Sequence, residues 1–87
     1  MTKIQQILST KYDKLESLQE RSSDLVSAIK SMELRRCLSI DNAEWYNGIG
    51  WINESKRFMK RANIQDACIK KLKVLLESNN RKLENSI

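Results

Sequence analysis

Eighty-seven residues leave room for one small domain with a core of marginal size. No proline, two glycines and 31% charged residues describe a helical chain, not a chain of strands and turns. With no histidine the commonest general base and zinc ligand is missing, so composition argues against an enzyme before any motif is considered.

The net charge of +5 is uneven. Residues 1–44 carry seven basic and seven acidic side chains, and residues 45–87 carry nine and four. The whole excess lies in the second half, which suits an anionic partner or a solvated basic face. No run of eighteen apolar residues is present, so no membrane span is expected. The opening Met1-Thr2-Lys3-Ile4-Gln5-Gln6 does not read as a signal peptide, and the expected location is cytoplasmic. Asn53-Glu54-Ser55 fits the glycosylation pattern and is read as a chance match.

In chain order, the first element is a long helix over about 2–37. Ile4, Leu8, Lys11, Leu15, Leu18, Ser22, Leu25, Ile29, Met32 and Arg36 step by four and three, as a coiled-coil seam does. Ile7, Tyr12 and Val26 flank this stripe, and Thr2 with Gln5 has capping-box spacing. Residues 38–51 read as an aromatic turn, with Asn47-Gly48 as the turn signal. Gly48-Ile49-Gly50 lacks the rest of a phosphate-binding loop and is read as part of that turn. A second helix over about 52–85 follows. Its stripe is Phe58, Ala62, Gln65, Ile69, Leu72, Leu76, Asn79 and Leu83, with Trp51 and Ser55 extending it backward.

These elements predict an all-α fold, an antiparallel two-helix hairpin of coiled-coil type forming one domain. A three-helix bundle is the competing fold, if Ser23 or Asp24 caps a new helix and breaks the first arm near Ser22-Asp24. A two-helix hairpin leaves Leu34, Leu38, Ile64, Val74 and Leu75 in water. Full burial of one such side chain is worth about 1.5–3 kcal/mol, so a partner is expected.

The candidate partner-binding residues are Trp45, Tyr46 and Trp51, followed by the basic block Lys56, Arg57, Lys60 and Arg61. Spacings of four crowd like charges in that block, which an anion would relieve. Lys70, Lys71 and Lys73 continue the basic surface toward nucleic acid or an acidic protein. The aromatics serve either as binding anchors or as a plug for the turn end of the hairpin. Asp13, Glu16, Glu20 and Asp24, interleaved with Lys14 and Arg21, read as ordinary surface ion pairs. Cys37 and Cys68 are expected to stay free thiols, with Cys68 opposite Leu18 to Glu20, roughly 24 Å from Cys37 along the hairpin. No metal site, cofactor or small-molecule substrate is expected.

Trp45-Tyr46-Asn47-Gly48 at the centre of a helical hairpin resembles the turn of the small WXG-type secreted proteins. It is one residue longer than Trp-x-Gly, and the tyrosine-plus-acid export signal of that family has no counterpart. Size and shape are also similar to type III secretion needle proteins and their small co-chaperones. The resemblance implies a secretion-associated hairpin or chaperone. From the residues themselves the leading expectation is a non-enzymatic interaction protein. It binds and regulates or inhibits a larger protein through helix faces and the aromatic turn, as a homodimer or hetero-complex. A dimeric nucleic-acid-binding regulator that uses the basic face is the alternative.

Overall fold

The computed structural model describes residues 3–86, without the side chains of residue 4 and residues 7–10. Two helices, α1 (Lys3–Gly48) and α2 (Ile52–Asn85), pack against each other as an antiparallel hairpin. The expected seam positions Ile4 and Leu8, the flanking Ile7 and the Thr2 cap lie outside what is described.

The seam follows the heptad. Leu18, Ile29 and Ile69 are buried, and Leu15, Leu25, Met32, Leu72, Leu76 and Leu83 are half-buried around them. The three-helix alternative does not form, because α1 runs unbroken through Ser22-Asp24. The expected caps Ser23 and Asp24 lie within the helix, and the neighbouring Ser22 hydroxyl is engaged across the seam. It accepts from Asn79 Nδ2 and donates to Asn80 Oδ1, both at 2.7 Å. Asn79 Nδ2 also donates to the Leu18 carbonyl at 2.7 Å. This buried polar layer ties one residue of α2 to two successive turns of α1 and fixes the register.

The first helix does not stop at residue 37. Residues 38–48, expected as most of an aromatic turn, are helical. The seam continues through Arg36, Ser39, Ala43 and Tyr46 in the same four-and-three steps. Ser39 and Ala43 are buried, and Ala43 is only 2% exposed. Small side chains here let the arms approach closely, so Ser55 Oγ donates to the Ala43 carbonyl at 2.7 Å. Ser39 Oγ donates to Gln65 Oε1 at 2.8 Å, with the Arg35 carbonyl at 3.0 Å as its other acceptor.

Gly50, not Asn47-Gly48, ends α1. It has φ +83°, the left-handed region that favours glycine. The Gly50 amide donates to the Asn47 carbonyl at 3.1 Å, and the Trp51 amide to the Tyr46 carbonyl at 2.9 Å. These paired bonds define a Schellman stop, and its usual apolar contact is the stack of Trp51 on Tyr46. Glu54 in the first turn of α2 complements the positive end of that helix.

A later turn shifts the register. The arms are unequal, with 46 residues in α1 and 34 in α2. The excess of 46 − 34 = 12 residues, about 18 Å of helix, carries the start of α1 past the end of α2. Arg36 pairs with Asp66, so Cys37 and Cys68 lie within about one turn of the same level, not roughly 24 Å apart. Both thiols are free and exposed. Heptad position separates them, since Cys37 sits on the outer side of α1 and Cys68 on a flank of α2.

Candidate docking surfaces

The aromatic end is built around Tyr46, which the seam half-buries. Its ring stacks on Phe58 at 5.4 Å and 9°, and on Trp51 at 5.8 Å and 22°. Trp45 meets the Tyr46 ring edge-on at 5.0 Å. Trp45 and Trp51 nonetheless stay 61% and 59% exposed. The expected trio therefore divides. Tyr46 plugs the turn end, and the two tryptophans stand outside it as held, solvated rings. Trp45 through Gly48 is helical, so the Trp-to-Gly segment does not form the turn that the WXG-type resemblance implies.

The basic block divides too. Arg61 lies over the Phe58 ring at 5.3 Å from its centroid, a cation–π contact within the fold. Lys73 pairs with Glu33 of α1 at 3.5 Å across the flank. Arg57 pairs with Glu54 at 3.4 Å, and Lys70 with Asp66 at 3.2 Å. Lys56, Lys60 and Lys71 make no ion pair among the described residues. Lys56, Arg57, Lys60, Lys70 and Lys71 share the outer side of α2, opposite the seam.

The expected ion pairs along α1 do not form. Asp13, Glu16, Glu20 and Asp24 are exposed and have no basic partner among the described residues. Lys14 and Arg21 occupy the flank next to the seam, where with Lys82 they border an open groove beside Leu18. Further along that flank, Leu25, Ala28 and Leu75 floor a second shallow groove, again edged by Arg21 and Lys82. Leu34, Leu38, Ile64, Val74 and Leu75 are exposed, as the seam requires.

The central polar contact is Asp66. It bonds Arg36 Nη1 at 2.8 Å across the arms and Lys70 within α2. Hydrogen bonds from Lys70, then from Arg36, hold its carboxyl below the usual carboxylate range. A depressed pKa favours the ionised form in the folded state. The resulting stability is present above the ordinary carboxylate pKa of about 4 and is lost as pH falls through the depressed value. Asp66→Asn is expected to melt below the wild type at neutral pH and to converge with it in acid. A midpoint difference that is independent of pH would refute this role.

Among the described residues, no group of three metal-ligating side chains is clustered, and no helix is long and apolar enough to cross a membrane. No family model, curated protein or solved structure matches this chain. Fold and surface together define a class, an antiparallel helical hairpin whose outer faces are charged and studded with uncovered apolar side chains.

Proposed function

We propose that this chain is a small non-enzymatic interaction protein that docks on a larger protein through its aromatic end and regulates it. One observation carries the reading: Trp45 and Trp51 are about three-fifths exposed yet held by ring contacts to Tyr46. Rings immobilised before binding lose little side-chain entropy on contact, and tryptophan dominates binding hot spots. Lys56 and Lys60, unpaired and close to the aromatic end in sequence, would steer an acidic partner toward it.

Affinity capture from the native host, with nuclease-treated lysate, tests the reading. A partner held by the wild-type chain is expected to be lost with Trp45→Ala/Trp51→Ala, at equal helicity by circular dichroism. Equal capture by both chains would remove the aromatic end as the docking site. Loss of the partner on nuclease treatment would favour nucleic acid instead.

A further inference from the structure

The outer sides of the two arms carry opposite charge. On α1 between residues 13 and 44, the positions facing away from α2 hold Glu16, Glu20, Asp41 and Glu44 against Lys30, and Asp13 and Asp24 stand at the edge of this face, where they border the flank grooves. All six acids are exposed, and none makes an ion pair among the described residues. On the outer side of α2 stand Lys56, Arg57, Lys60, Lys70, Lys71 and Arg81 against Glu77 and Glu84; Arg57 pairs with Glu54, Lys70 with Asp66 and Arg81 with Glu77, which leaves Lys56, Lys60 and Lys71 unpaired among the described residues. Like charges three and four residues apart repel along each arm, so each face is costly alone and relieved by the other. Each face also has an uncovered apolar step. Leu34 and Leu38 precede Asp41 and Glu44 on α1, and Ile64 and Ala67 sit between Lys60 and Lys70 on α2.

We infer that copies of this chain associate head to tail, the acidic outer face of α1 in one copy packing on the basic outer face of α2 in the next. A two-fold dimer through either face would set acids against acids or bases against bases, which opposes association. The two faces point in opposite directions from the seam, so one neighbour covers one face and leaves the other open. The assembly is therefore heterologous and grows beyond a dimer. It uses the arms and shares only Lys56 and Lys60 with the proposed docking end.

Sedimentation of purified, nucleic-acid-free protein over a concentration series at low ionic strength tests the inference. The mass is expected to climb past twice the 10.2 kDa of the chain and to fall when salt screens the faces. Glu20→Lys/Asp41→Lys/Glu44→Lys makes both outer faces basic, and Lys56→Glu/Lys60→Glu/Lys71→Glu makes both acidic. Each variant alone is expected to sediment as a monomer with wild-type helicity, and an equimolar mixture of the two to associate again. A wild type that stays monomeric, growth that stops at two copies, or a mixture that stays monomeric would overturn the inference. The α1 variant keeps Trp45, Trp51, Lys56 and Lys60 unchanged, so partner capture is compared between it and the wild type. Tryptophan-dependent capture that persists without self-association would leave the proposed function standing, and the reverse result would leave this inference standing.

Discussion

Ile69→Ala is expected to remove a large share of the stability of the hairpin. Ile69 is 3% exposed at the middle of the α2 stripe, facing the α1 seam. Truncating a buried isoleucine to alanine costs about 2–5 kcal/mol, because the lost transfer energy is joined by the cost of the cavity. A chain of this length has only about 4–13 kcal/mol in total. Two helices give the cavity no third layer from which to refill, which places the cost toward the upper end. Val74, by contrast, points outward at 65% exposure, and Val74→Ala should change stability by no more than about 0.5 kcal/mol. Urea midpoints followed by far-ultraviolet circular dichroism measure both. Equal shifts for the two variants would show that the seam is not the core.

The second large effect comes from adding atoms. Ala62 is 3% exposed on α2 near the close approach at Ala43, where Ser55 Oγ reaches an α1 carbonyl at 2.7 Å. Ala62→Leu keeps helix propensity and raises hydrophobicity, so composition alone would count it as stabilising. Packing decides otherwise. At 3% exposure beneath the facing arm, a larger side chain must splay the arms, at about 1–3 kcal/mol. Splaying would also separate Tyr46 from Phe58, which now stack at 5.4 Å. The expected outcome is a lower melting temperature together with a weakened near-ultraviolet aromatic signal. A melting temperature at or above wild type would show that the arms are looser here than the hydrogen bonds imply.

These two sites also show what could be read in advance. Ile69 declares itself, since a branched aliphatic residue at a four-and-three spacing has few places to go except a helical seam. Leu15, Leu18, Leu25, Ile29, Leu72 and Leu76 do the same, and they were enough to give the hairpin. Ser39 and Ala43 do not. Their small or polar side chains lower the hydropathy of the stripe where the helices come closest, so the apolar period breaks off between residues 38 and 48. The stop signal is hidden for a related reason. Asn47-Gly48 reads as a turn in isolation, yet Gly50 fits better as the left-handed residue, flanked by Tyr46 and Trp51 at the spacing of a Schellman contact.

The docking surfaces were legible as residues and not as faces. Lys56, Arg57, Lys60, Arg61, Lys70, Lys71 and Lys73 form one basic stretch along the chain. The fold divides them by angle about the helix axis, turning Arg61 to Phe58 and Lys73 to Glu33. The same angular sorting turns Glu16 and Glu20 from Lys14 and Arg21, while Asp13 and Asp24 border the same grooves as those cations without pairing with them, and so an acidic face forms that a linear reading neutralises.

By itself, the sequence determined that the chain is helical, that two apolar stripes must meet, and that leucine, isoleucine and valine outside them stay in water. Those properties follow from backbone propensity and a fixed angular step per residue, which are local. Tertiary structure alone decided where α1 ends, which residues stand opposite one another, and which charges are left unpaired. Register depends on the fit of small side chains and polar layers between the arms, and that fit exists only once both helices are in place.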